Sequence, residues 1–153
     1  MENQTYITET SDNTMEMIEL KIGYEKYGMN VNFVKEMIQT KKVTPIPFTH
    51  PYIKGVIDVR GEVYPVIDLG EVFSKKSEPN ELEDKFIISE INNQCLCFYV
   101  HGISQIHIVT KSDIQPSNED DSIYVEGIYG NIPIINVEKI ISDIQAFNKT
   151  API

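Results

Sequence analysis

Arg60 is the only arginine in a chain of 153 residues whose other twelve basic side chains are lysines. A guanidinium offers a rigid planar fork of donors that matches a carboxylate, which an ammonium does not. It stands between Asp58 and Glu62 on a glycine-containing turn, where either acid would pin it as a local strut. An anchor for a partner's carboxylate is the equal alternative, because exposed pairs add little to stability. Asp58 and Asp68 suggest paired carboxylates for general acid–base work. Asp68, however, is matched by Asn136 in a second copy of its segment, and an amide transfers no proton. Capping of a helix start accounts for both residues. His101 and His107 lie six apart on one strand, too far to chelate one ion, and His50 sits in a proline-rich loop that reads as exposed. Cys95 and Cys97 point to one face of a strand and lack two further ligands, so they read as small buried hydrophobes. With no glycine-rich phosphate loop and no Gly-x-Ser-x-Gly elbow, no enzyme activity, metal or cofactor is expected.

The elements that carry these residues are announced by a repeat. Gly61-Glu62-Val63-Tyr64-Pro65-Val66-Ile67-Asp68-Leu69 is echoed, with one deletion, by Gly130-Asn131-Ile132-Pro133-Ile134-Ile135-Asn136-Val137. Upstream, Val31, Val34 and Met37 correspond to Val100, Ile103 and Ile106, Ile18 and Ile22 to Ile87 and Ile91, and Pro47 to Pro116, each at an offset of 69. Two like units therefore fill most of the chain, with a seam between them.

Composition narrows the function classes. An apolar fraction of 41% supports a real core, and 13 basic against 23 acidic residues give a net charge of −10. So acidic a chain repels phosphate backbones, and Lys41-Lys42 and Lys75-Lys76 are too short to reverse that. Nucleic-acid binding and direct membrane insertion are not expected, since no apolar run approaches the ~20 residues of a membrane span. With neither a secretory leader nor a disulfide framework, the chain reads as cytoplasmic.

Residues 1–15 carry no periodicity and read as a flexible tail. Met17–Ile22 alternates as a strand, Gly23–Gly28 reads as a hairpin turn, and Phe33–Ile38 is open between strand and helical turn. Pro45, Pro47 and Pro51 exclude a helix or central strand from their loop. Two strands then meet at Arg60-Gly61, and a short helix starts at Asp68. The polar stretch Ser74–Asp84 links the copies, the second runs from Lys85 to about Ser142 with a helix near Asn136, and residues after Asp143 either fray or pack as an extension. The fold class is all-β with minor helices, most simply two small barrels.

The ordered series Tyr27-Gly28-Met29-Asn30-Val31, Val34-Lys35-Glu36-Met37-Ile38, Thr44-Pro45-Ile46-Pro47, Ile53 through Gly61 and Pro65 through Leu69 resembles the CheW family of bacterial chemotaxis coupling proteins. The likeness covers residues 15 to 142 and extends to Val100–Ile106, Asp113–Pro116 and Ile134–Ile141. It implies two intertwined five-stranded barrels of SH3 type within a single domain over 16–153, about 16–75 forming the first and 85–142 the second. It further implies a non-enzymatic scaffold joining chemoreceptor cytoplasmic tips to the regulatory domain of the histidine kinase CheA, within membrane receptor arrays. By position, Val34, Glu36, Asp58, Arg60 and Gly61 fall in partner-contacting segments, and Ile103 and Ile106 line the opposing side. Where the family pattern has Asn-Leu-Arg-Gly this chain has Asp58-Val59-Arg60-Gly61, and His101 stands where the pattern has aspartate. The alternatives are a related scaffold of another chemosensory pathway, such as pilus-based motility, and a small-ligand-binding barrel.

Overall fold

The structure, a computed structural model, describes residues 13–150. The expected tail over 1–15 falls outside the described residues up to residue 12, whereas Thr14 and Met15 already belong to the first strand. Eleven strands follow one another: β1 (Thr14–Ile22), β2 (Glu25–Asn30), β3 (Glu36–Gln39), β4 (Ile53–Val59), β5 (Glu62–Asp68), β6 (Lys85–Ile91), β7 (Gln94–Val100), β8 (Gly102–Thr110), β9 (Ile114–Gln115), β10 (Val125–Tyr129) and β11 (Ile132–Ile135). Helix α1 (Leu69–Phe73) follows β5 and helix α2 (Val137–Thr150) follows β11. The ambiguous Phe33–Ile38 divides: a 3-10 turn covers Val31–Phe33 and β3 begins at Glu36.

The strands form a six-stranded sheet in the order β8-β1-β2-β11-β10-β9 and a five-stranded sheet in the order β3-β6-β7-β5-β4. Each sheet takes strands from both halves of the sequence. The first hairpin, β1–β2, lies between β8 and β11, while β6–β7 lies between β3 and β5. This exchange is the intertwining that the family resemblance implied, and its consequence is visible in the packing. Alternate residues of the inner strands face two different cores. Phe86, Ile88, Cys97 and Val66 enter a small core inside the five-stranded sheet, and Met17, Val109, Ile132 and Ile134 one inside the six-stranded sheet. Their neighbours Ile18, Leu20, Ile67, Ile87, Phe98 and Ile135 enter a larger core shared by the two. Strand stretches buried on both faces do not alternate, which is why Phe86–Ile88 of β6 and Leu96–Phe98 of β7 are apolar at successive positions.

Helix α2 completes the shared core. Val137, Ile140, Ile141 and Ile144 recur at helical spacing and all are buried, so the chain packs past Asp143. Both helix starts are capped as expected, Asp68 Oδ1 accepting from the Gly70 N–H at 2.9 Å and Asn136 Oδ1 from the Lys139 N–H at 3.0 Å.

Of three hairpin turns, the one between β4 and β5 falls where the sequence placed it and the other two differ. The β1–β2 turn is only Gly23-Tyr24, with Gly23 at φ 64, because β2 starts at Glu25. The β4–β5 turn is Arg60-Gly61 with φ 52 and 88, the two positive angles of a type I′ hairpin. Its counterpart is Gly130-Asn131, so Gly130 matches the position of Arg60 and not that of Gly61. Both turns hold two residues. What is shortened in the second copy is the pair of arms: Gly55–Val59 oppose Glu62–Val66, whereas only Gly127–Tyr129 oppose Ile132–Ile134. The prolines are the true register marks, Pro65 facing Val56 and Pro133 facing Ile128.

Gly55, at φ 150 beside the register shift in β4, has Thr44 crossing over it; an added Cβ would stand 2.3 Å from the Thr44 carbonyl oxygen. Gly55→Ala is therefore expected to break the Thr44–Val56 bridge at a cost of about 2 kcal/mol or more, measured as a lowered denaturant midpoint. An unchanged midpoint would show that the Thr44 crossing moves freely.

Candidate partner-binding surface

The β4–β5 turn draws together four of the seven residues expected in partner contacts. Asp58 Oδ1 accepts from the Gly61 N–H at 3.0 Å, tying the turn, and its carbonyl oxygen accepts from Lys41 Nζ. With Asp58 so engaged, Arg60 reaches instead across to Glu36, its two terminal nitrogens donating to the two carboxylate oxygens at 2.7 and 3.2 Å. The expected partners Asp58 and Glu62 are thus replaced by an acid 24 residues upstream. Glu36 is on β3 and Arg60 at the end of β4, the two opposite edges of the five-stranded sheet. The ion pair closes that sheet at its rim, as the Thr44–Val56 bridge does lower down. The Arg60 guanidinium holds the Glu36 carboxyl below the ordinary carboxylate range, so the pair stays charged at neutral pH. Arg60 remains mostly exposed, the guanidinium open to a further carboxylate.

Beside it runs an apolar strip. β3 and β8 are the outermost strands of their sheets. Met37 pairs in register with Ile87 and Ile106 with Ile18, and both partners belong to the shared core. Directly opposed residues project from one face. Met37 and Ile106 therefore lie on the faces that elsewhere cover the shared core, yet they are 47% and 56% exposed, and Ile108 on the same face is 66% exposed. Val34 and Ile103 are half-buried against that core, and the Val31–Phe33 turn packs on both β1 and β6, between the two edge strands. Sequence reasoning named Val34, Ile103 and Ile106 but missed Met37 and Ile108. The signal was present in the alternation Ile106-His107-Ile108, where His107 turns inward to Glu19 at 2.7 Å and leaves both isoleucines outward. On the opposite face of the five-stranded sheet, Lys35 Nζ meets Glu90 at 3.3 Å and lies 3.7 Å from Cys95 Sγ.

His50 departs from its expected exposure. Its ring stacks on Tyr52 and Phe147, and its Nδ1 accepts from the Tyr52 N–H at 3.1 Å, which fastens the proline-rich loop to α2. Cys97 is buried as expected, while Cys95 is only half-buried.

Two curled sheets sharing one core, with an unfilled aliphatic strip at their common edge and a charged clamp beside it, define a binding scaffold. The profile described as "CheW-like domain" matches residues 16–145. Among similar proteins, the chemotaxis protein CheW of Treponema pallidum is 27% identical over 125 residues, covering 78% of this chain and 74% of that one. The CheW of Helicobacter pylori is 25% identical over 140 residues, covering 87% and 85%. The chemotaxis protein CheV3 of the same organism is 32% identical over 132 residues, which is 78% of this chain but 42% of that longer one. The scaffolding protein TtCheW of Thermoanaerobacter tengcongensis has a similar structure, with a TM-score of 0.71 at 28% identity over 79% of this chain and 82% of that one. The chain belongs to the CheW-like domain family, and its function is that of a chemotaxis coupling scaffold.

Proposed function

We propose that this chain, acting as one unit over residues 16–153, couples the cytoplasmic tip of a chemoreceptor to the regulatory domain of the histidine kinase CheA without catalysing a reaction. The observation that carries this reading is the aliphatic strip of Val34, Met37, Ile103, Ile106 and Ile108, an outcrop of the shared core at the seam. An amphipathic helix laid along it would bury its apolar stripe on side chains already held by the core. The Asp58–Gly61 turn, with Arg60 and Glu36, supplies charged contacts that orient a partner without needing burial. A net charge of −10 sets the surface against nucleic acid. Among the described residues no helix is long and apolar enough to cross a membrane, and the scaffold would reach receptor arrays from the cytoplasm by binding the receptor.

Calorimetric titration of the purified chain with a receptor-tip fragment, and separately with the kinase regulatory domain, tests the proposal. Binding to both is expected, and binding to neither overturns it. Arg60→Glu sets two carboxylates against each other where the clamp stood. It is expected to weaken at least one of the two complexes while leaving the thermal midpoint nearly unchanged, because Arg60 is exposed and Glu36 only half-buried. A large fall in the midpoint would make Arg60 a strut and remove it from the binding surface.

A further inference from the structure

Four segments converge on His101, at the corner between β7 and β8. Its ring is buried, and Nδ1 accepts from the Gly23 N–H of the β1–β2 turn at 2.7 Å. The backbone N–H of His101 donates to the Lys21 carbonyl at 2.8 Å. At the start of α1 a Cβ on Gly70 would stand 3.1 Å from His101 Cε1, so a side chain there would press on the ring. Tyr99 meets the ring edge to face at 5.3 Å. The fourth neighbour is Asp84, buried where the linker enters β6. Its Oδ2 accepts from the Tyr99 hydroxyl at 2.6 Å and the Asn80 N–H at 3.2 Å, whereas Oδ1 is buried without a partner.

An Nδ1 that accepts a hydrogen bond carries no proton, so the bond to Gly23 exists only for the neutral ring with hydrogen on Nε2. A protonated ring has two donors and no acceptor, and the Gly23 N–H would then face another N–H. The charged groups around the ring divide. Asp84 at the head of β6 and Asp68 at the cap of α1 favour the imidazolium, while Lys21 on β1 and Lys54 on β4 oppose it. Burial is the largest influence and holds His101 below the ordinary histidine range, so the ring is neutral and bonded at physiological pH.

We propose that His101 is a proton-operated latch between the two halves of the chain. Neutral, it clamps the β1–β2 turn to the β7–β8 corner; protonated, it releases Gly23 and is drawn toward the buried carboxylate of Asp84. The turn it releases walls a cavity of about 510 Å³ lined by Lys21, Tyr24, Leu82, Glu83, Ile103 and Ser104, so the latch governs access to the flank of Ile103. The folded value of His101 is depressed, so the clamp is complete above the ordinary histidine value near 6.5 and is lost as pH falls through the folded value.

The test is backbone amide exchange by NMR on the full chain between about pH 7.5 and about pH 5, corrected for intrinsic exchange rates, with the ring nitrogen shifts of His101 recorded alongside. The ring is expected as the Nε2–H tautomer at the upper end. As it protonates, Gly23 protection should fall by up to about tenfold per pH unit, while Ile87 and Phe98 in the shared core keep theirs. His101→Asn keeps an acceptor near the Nδ1 position and does not titrate, so its Gly23 protection should be flat with pH. Asp84→Asn removes the counter-charge and should lower the pH at which the ring protonates. An Nδ1–H tautomer, Gly23 protection indifferent to ring protonation, or an equal pH response in His101→Asn would each overturn the latch. Should His101→Asn fail to fold, the wild-type series and the tautomer decide alone.

Discussion

Phe98→Ala is expected to cost about 3–5 kcal/mol and to unfold both sheets in a single step. Phe98 is fully buried on β7, an inner strand of the five-stranded sheet, yet its side chain enters the shared core. There it belongs to one cluster with Ile18 and Leu20 of the other sheet and Ile144 of α2. A ring removed there leaves a void in the core that both sheets and α2 share, and domains have only about 5–15 kcal/mol to lose. Denaturant titration followed by far-ultraviolet circular dichroism and by tyrosine fluorescence checks it. Both probes should shift together to a lower midpoint. Two separated transitions would mean that each sheet stands on its own small core and that the shared one is incidental.

Ile106→Glu is expected to weaken receptor-tip binding by about thirtyfold or more, the loss that corresponds to a hot spot of ~2 kcal/mol, with the fold intact. Ile106 is the middle of the exposed strip, flanked along β8 by Ile103 and Ile108. A carboxylate there would be desolvated by any apolar helix laid over it. Calorimetry against the receptor tip, with a thermal melt of the same sample, separates the outcomes. Unchanged affinity would move the receptor contact elsewhere. A lowered melting midpoint would return Ile106 to the core. A parallel titration with the kinase regulatory domain shows whether Ile106 serves one partner or both.

Local chemistry was the legible part of this chain. Asp68 and Asn136 cap helices, the proline-rich loop stays outside both sheets, and the alternation of Met17–Ile22 marks a strand, because each depends on residues only a few positions apart. The repeat was legible too, though its alignment slipped. Counting glycines set Gly61 against Gly130, whereas the hydrogen-bonded register sets Arg60 against Gly130 and differs by the length of the arms. A one-dimensional offset cannot distinguish a shorter turn from shorter strands. Arg60 shows the other limit. Its neighbours in sequence, Asp58 and Glu62, were the natural partners, but Asp58 is consumed by the turn and Glu62 accepts from the Tyr64 hydroxyl. The actual partner becomes adjacent only when the sheet curls and brings β3 to β4. Met37 was hidden for a related reason: its exposure follows from β3 being an edge strand, which no local pattern announces.

The exchange of hairpins between the sheets also bears on how the chain can be made. When residues up to Phe73 have left the ribosome, β1–β2 still lacks β8 and β11, and β3 still lacks β6. Neither sheet can close on what has been synthesised, and Leu20, Met29 and Ile67 have no finished core to enter. Chains whose native contacts are so distant in sequence fold slowly and expose unpaired strands meanwhile. For this scaffold the vulnerable interval is the time between the emergence of β5 and the arrival of β11, and shielding during synthesis should raise its yield more than any single stabilising substitution.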